Sequence, residues 1–337
     1  MKKLFLSMVV VMIATMSYAQ SNLVATLSHN GEITVFHGAN SLKEAMEAAD
    51  HGDIITLASG RYNAFNITKA VTLRGAGTQE DAVTGTYCTQ IIGDFDINIP
   101  DSISEYLTME GIYHNGKIYA NASNAILQKC RFGTISFSNH KEQNVNSLIC
   151  INCYITDKMA MAPYGSAKYI NCVINNPSNI CHYQLGWTLL VEYGSSVTEF
   201  TNCIILGDIT DIYRSYLQNS ILNTNKTLNN TNMASYCVGY TSDGNGSPFA
   251  NLSTQATNKV LTQEQVEALF KPETFYELTD AAKAEYIGID EKEVGIYGGN
   301  LPYETRILSP QITKCNVAAK TTADGKLSVD IEVKAAE

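Results

Sequence analysis

The chain has 337 residues, 45% hydrophobic and 17% charged, with 33 acidic against 23 basic side chains and a net charge of −10. An acidic chain lacks the Lys/Arg surface that neutralises phosphates and releases counterions, which excludes a general nucleic-acid-binding role. Beyond the N-terminal segment, no apolar run approaches the ~20 residues of a membrane-spanning helix, so no transmembrane segment is expected in the mature chain.

Residues 1–19 have the three parts of a secretory signal peptide: Lys2 and Lys3, an apolar stretch from Leu4 to Ile13, and the small-residue end Ser17-Tyr18-Ala19. Cleavage after Ala19 is expected. It leaves 21 basic and 33 acidic residues, a net charge of −12, and an extracytoplasmic protein that is secreted, periplasmic or at the outer surface. No cysteine stands near the cleavage point to accept a lipid anchor. The negative charge does not forbid an acidic glycan, because a local basic patch or bridging Ca²⁺ would hold one.

Glu32-Ile33-Thr34-Val35-Phe36 reads as a strand, and Ser41 to Ala49 as an amphipathic helix. Ser41 and Glu44 have capping-box spacing, and Leu42, Ala45, Met46 and Ala49 share one face. An apolar helix face at this place is suited to covering the open end of a stacked-strand core.

The passages Gly52-Asp53-Ile54-Ile55-Thr56-Leu57-Ala58-Ser59-Gly60-Arg61-Tyr62 and Val71-Thr72-Leu73-Arg74-Gly75 follow. They resemble the opening turns of the pectin-lyase-like right-handed β-helix superfamily, in which a helix precedes a GD-I-L-G-Y coil and a V-T-L-x-G coil. The resemblance implies a fold. It selects no single function, because the superfamily includes polysaccharide lyases, glycoside hydrolases, phage tailspikes and non-catalytic surface proteins.

Five phrases then recur: Gln128-Lys129-Cys130-Arg131-Phe132, Ile151-Asn152-Cys153-Tyr154-Ile155, Ile170-Asn171-Cys172-Val173-Ile174, Thr201-Asn202-Cys203-Ile204-Ile205 and Gln218-Asn219-Ser220-Ile221-Leu222. Their small residue repeats at offsets of 23, 19, 31 and 17, close to the ~20-residue period of a solenoid. Each phrase joins β-branched segments across a polar residue without helical periodicity, so the expected class is all-β: a right-handed parallel β-helix with an N-terminal capping helix and an irregular C-terminal region. Asn tolerates the left-handed backbone of a tight corner, and the cysteines, sharing one phase, are expected to stack inside as small apolar residues. Cys150 and Cys153 form a lone CxxC without a second ligand pair at zinc spacing, so no metal site is assigned.

The 31-residue step holds an insertion of roughly ten residues that includes the only tryptophan, Trp187. Loops on a rigid scaffold are common binding sites, and Tyr154, Tyr164, His182, Tyr183, Trp187 and Tyr193 gather around this insertion as candidate sugar-binding side chains. Past Tyr240 the pattern changes: a turn-rich linker, then a short helix from Thr262 to Phe270 with a Thr262/Gln265 capping box. Asp290 to Tyr303 resembles the D-G-x-x-x-G-I-Y-G-G closing segment of secreted β-helix proteins from Bacteroidetes-type bacteria, with Glu291 in place of the first Gly. The tail from Ile312 to Lys334 alternates around Asp324-Gly325, a hairpin signal. The expected organisation is a signal peptide at 1–19, a capped β-helix at 20–240, a closing coil with short helices at 241–307 and a hairpin tail at 308–337.

A lyase of this fold requires acidic groups to hold Ca²⁺ and a uronate, and a base for the proton alpha to the carboxylate. Asp208, Asp211 and Arg214 are the catalytic candidates, with Asp94 and Asp96 as further acids. Carboxylate signatures of glycoside hydrolases, serine-hydrolase elbows and zinc-protease motifs are absent from the sequence. The leading expectation is therefore an exported protein that binds polysaccharide on its coil face without catalysis. A Ca²⁺-dependent lyase acting on an acidic glycan is the second expectation, and a surface adhesin or structural protein with a protein partner is the third.

Overall fold

The computed structural model of the chain describes residues 23–80, 87–100, 102–137, 145–160, 165–178, 180–185, 188–193, 197–241, 247–253, 256–306, 311–317, 326 and 329–334. These residues form a nearly all-β structure, 8% helical, in which parallel sheets stack as a solenoid of about eight turns. The chain divides into two units, the first ending at Thr305 and the second running from Arg306 to Glu337.

Within the first unit an 11-stranded and a 12-stranded sheet line the solenoid. In the six repeats from Asn124 onward a strand of the first sheet passes through a two-residue corner into a strand of the second, as Asn124–Gln128 does into Arg131–Phe137 and Gly165–Ile170 into Val173–Asn175. The first corner residue is left-handed every time: Lys129, Asn152, Asn171, Asn202, Asn219 and Tyr236 have φ of 51°, 54°, 50°, 53°, 50° and 53°. That conformation costs most L-residues about 1–2 kcal/mol, and Asn is among the few that enter it routinely. The corners keep the ladder intact, because Asn152 N donates to Ile170 O, Asn171 N to Thr201 O and Asn202 N to Gln218 O, all at 3.0 Å.

The second corner residue points inward. Cys130, Cys153, Cys172, Cys203, Ser220 and Cys237 are all buried, and each hydroxyl or thiol donates to the carbonyl two residues before it, at 2.8 Å from Ser220 and 3.2–3.4 Å from the sulfurs. Burial in apolar surroundings pushes the thiols of Cys130, Cys150 and Cys172 well up and that of Cys237 to about 12, which keeps these four protonated. Cys88, Cys130, Cys150, Cys153, Cys172, Cys203 and Cys237 are free, including both members of the CxxC pair, which face the interior. Larger side chains fill the rest of the core, among them Tyr169 and Phe200, stacked at 5.0 Å.

At the N-terminal end, Val24–His29 and Glu32–His37 form an antiparallel hairpin that joins the first sheet through Ile54–Leu57. Helix α1 (Ser41–Ala48) covers this end with Leu42, Ala45 and Met46 buried. The expected Ser41/Glu44 capping box does not form. Asn40 is the N-cap, Ser41 is the first helical residue with its Oγ buried and unpartnered, and Glu44 N bonds the Asn40 backbone carbonyl instead. The insertion between Pro177–Ser178 and Val197–Thr201 is an antiparallel pair, Ile180–Leu185 with Thr188–Tyr193.

The last parallel strand, Lys259–Thr262, leads into α2 (Gln263–Glu267), where the Thr262/Gln265 capping box is complete. After α3 (Asp280–Glu285) the chain turns back and residues 286–305 run along the corners as a strap rather than adding another coil. Gly295 N bonds Asn219 O, Asn171 Nδ2 bonds Ile296 O and Gly298 O, Asn152 Nδ2 bonds Pro302 O, and Thr305 accepts from Gln79. In the second unit Gln311–Val317 pairs antiparallel with Val329–Lys334, and Asp324-Gly325 lies outside the described residues.

Candidate functional site

The residue after each inward cysteine or serine points outward, and parallel register stacks these residues in one column beside the corners. Tyr113 pairs with Arg131, Arg131 with Tyr154, Tyr154 with Val173, Val173 with Ile204, Ile204 with Ile221 and Ile221 with Val238. The column changes character midway. Val173, Ile204, Ile221 and Val238 are apolar and form a second core with Val266, Leu269, Leu278, Ala282, Val294 and Ile296 of the C-terminal segment. Tyr113, Arg131 and Tyr154 stay partly exposed, and there the cover stops short.

A groove of about 250 Å³ opens at that boundary, lined by Arg131 and Tyr154 of the column, Phe275, Tyr297, Tyr303, Glu304 and Thr305 of the C-terminal segment, and Thr78 and Gln79. The Arg131 guanidinium carbon lies 5.1 Å from the Tyr113 ring centroid and 5.3 Å from that of Tyr154, within cation–π range of both. The rings continue in contact: Tyr154 meets Phe275 edge-on at 5.1 Å, Phe275 meets Tyr303 at 5.0 Å, and Tyr303 meets Tyr297 at 6.1 Å. Tyr297 OH donates to Phe275 O at 3.0 Å, and Gln79 Nε2 donates to Thr305 Oγ1 at 3.0 Å, tying both walls in place. Burial holds the Tyr303 phenol far above its ordinary pKa, so it stays a neutral donor and acceptor. Arg131 Nε is buried with no hydrogen-bond partner.

Of the binding candidates named from sequence, Tyr154 alone is placed in this groove. His182, Tyr183 and Tyr193 lie on the inserted hairpin, whose backbone is described without its side chains, and Tyr164 and Trp187 fall outside the described residues. Among the catalytic candidates, Asp208 and Arg214 are exposed and Asp211 is partly so. Asp208 is exposed and its Oδ1 accepts from Thr210 N and Thr210 Oγ1 at 2.9 and 2.7 Å, bonds that depress its pKa. Arg214 is exposed in a left-handed turn with its backbone N–H on Thr231 Oγ1, and no ion pair links Asp208, Asp211 and Arg214. Asp94 and Asp96 are both exposed, on either side of buried Phe95; Asp94 precedes the strand Phe95–Asn98 and its carboxylate accepts Lys117 N at 2.8 Å. Among the described residues no three His, Cys, Asp or Glu side chains converge on a metal position.

Arg131, Tyr113, Phe275, Tyr297 and Tyr303 were not among the expected site residues. A signal for part of the set was present, because aligning the recurring phrases places Arg131 directly beside Tyr154. Comparison with known protein families, curated proteins and solved structures finds no match to the chain.

Proposed function

We propose that the protein is an exported polysaccharide-binding β-helix, of the kind found among pectin-lyase-like secreted proteins of Bacteroidetes-type bacteria, that holds its ligand without transforming it. The observation carrying this reading is the groove at the end of the apolar column, where Tyr154, Phe275, Tyr297 and Tyr303 present aromatic surface next to the hydroxyls and amide of Thr78, Thr305 and Gln79. Sugars bind where ring faces meet convergent polar groups. At about 250 Å³ the groove is just below the ~300 Å³ at which small-molecule pockets usually begin, which suits one sugar residue of a chain crossing the flank. The inserted hairpin, with Tyr183 and Trp187, is proposed as a second contact.

Catalysis is left out of the proposal because the Asp208 carboxylate is engaged by Thr210 in its own turn. Affinity electrophoresis of residues 20–337 through gels containing neutral or acidic polysaccharides, with and without Ca²⁺, tests the reading. Retardation that Tyr154→Ala abolishes is the expected result. Unretarded migration in every gel overturns it in favour of a structural or protein-binding role, and release of unsaturated sugars from an acidic polymer overturns the non-catalytic part.

A further inference from the structure

The groove contains a cation with unspent hydrogen-bonding capacity. A guanidinium carries five N–H donors and no acceptor. Among the described residues Arg131 donates no hydrogen bond and meets no carboxylate at ion-pair distance, and its Nε is buried. Leaving charged donors unpaired in a partly buried place is costly, and a chain with ten more acids than bases had many ways to supply a partner. The Tyr113 and Tyr154 rings at 5.1 and 5.3 Å instead lie against the guanidinium from the coils on either side. They stabilise the charge without using its N–H groups.

We infer that Arg131 makes this groove a receptor for an oxyanion carried on a sugar, a carboxylate or a sulfate ester, bound by the unspent N–H groups of the ring-flanked guanidinium. This rests on the glycan-binding reading above. A guanidinium fork matches two oxygens at once, which gives geometric selection as well as charge. Glu304, also lining the groove, is the opposing charge, so the anion enters from the Arg131 side and the uncharged part of the ring lies toward Tyr303.

The test uses residues 20–337 in gels containing a neutral glucan, polygalacturonate or dextran sulfate, at low and high salt, with intact folding of each variant checked by circular dichroism. The expected result is retardation by an acidic polymer that weakens with salt and falls about tenfold or more in Arg131→Gln. Glu304→Gln strengthens it. Arg131→Lys keeps the charge and stem but loses the planar fork, so it retains only part of the retardation; it carries the test if Arg131→Gln fails to fold. Retardation by polygalacturonate alone identifies a carboxylate, by dextran sulfate alone a sulfate ester, and by both an oxyanion read through charge. Retardation by the glucan alone, or acidic retardation unchanged in Arg131→Gln and Arg131→Lys, overturns the inference and leaves glycan binding standing. No retardation in any gel overturns both.

Discussion

Asn171 Nδ2 donates to Ile296 O at 2.7 Å and to Gly298 O at 2.8 Å, joining a corner of the solenoid to a strap 125 and 127 residues further along the chain. The residue that makes the left-handed turn thus also fastens the C-terminal segment that forms one wall of the groove. Asn152 and Asn219 do the same on other coils, through Pro302 O at 3.2 Å and Asp290 Oδ1 at 3.1 Å. The corner asparagines are therefore docking points more than a ladder bonded to itself.

Asn171→Ala removes both bonds, orphans two carbonyls and places a Cβ-bearing residue without a polar side chain at φ 50°. A loss of about 2–5 kcal/mol is expected. Asn171→Gly relieves the backbone term and loses only the bonds, so its urea-denaturation midpoint falls between wild type and Asn171→Ala. Equal midpoints for the two variants would show that the corner backbone carries no strain.

Gly299 is left-handed at φ +74°, and a Cβ added there would collide with Asn202 Nδ2. Gly299→Ala should lift the strap at a cost of about 1–3 kcal/mol. Hydrogen exchange across residues 286–305 is expected to speed up while the amides around Cys150 and Tyr169 keep their protection. Unchanged exchange in the strap would contradict the close approach.

Ser220 takes the place of a cysteine in the stack and donates to Gln218 O at 2.8 Å. Cys172→Ser should therefore be tolerated within about 1.5 kcal/mol, whereas Cys172→Leu overpacks the coil and costs about 1–3 kcal/mol. Denaturation midpoints distinguish the two. In the native protein, maleimide at pH 8 should modify half-buried Cys88 while Cys130, Cys150, Cys153, Cys172, Cys203 and Cys237 stay unmodified until the chain is unfolded.

Two histidines act on stability with opposite signs. The hydrogen bond from His29 Nδ1 to Asp53, 2.9 Å long, and the Asp53 charge raise the His29 pKa. Its contribution is fully present below the unfolded value of ~6.5 and is lost as pH rises through the folded value. Burial lowers the pKa of His114, whose Nε2 donates to Gly93 O at 2.8 Å, so protonation opposes folding increasingly as pH falls from ~6.5 toward its folded value. His29→Gln should lower the denaturation midpoint more at pH 5 than at pH 9. An equal effect at both pH values would remove the ionic part of the His29–Asp53 interaction.

The recurring phrases already contained the coil: a β-branched run, a left-handed Asn and a small inward residue describe a corner wherever the unit repeats, because these choices are local. The stacked cysteines, the apolar face of α1 and the Thr262/Gln265 cap were legible for the same reason. The Ser41 cap was misread because spacing alone does not tell whether the chain enters the helix at residue 40 or 41. The ring of Tyr154 is plain in the sequence, but its neighbours in the groove come from the coils beside it and the C-terminal segment, not from the adjacent insertion.

What the sequence determined by itself is thus the repeating unit, whose backbone preferences and inward-outward alternation act over a few residues. What only the tertiary structure decided is the groove. Register between coils brings Tyr113, Arg131 and Tyr154 together from three turns, and the C-terminal segment supplies Phe275 and, from its returning strap, Tyr297 and Tyr303, all more than a hundred residues away. Outward positions tolerate many side chains in any one coil. Their meaning arises from what is stacked beside them and from where the C-terminal cover, following the apolar part of the column, comes to an end.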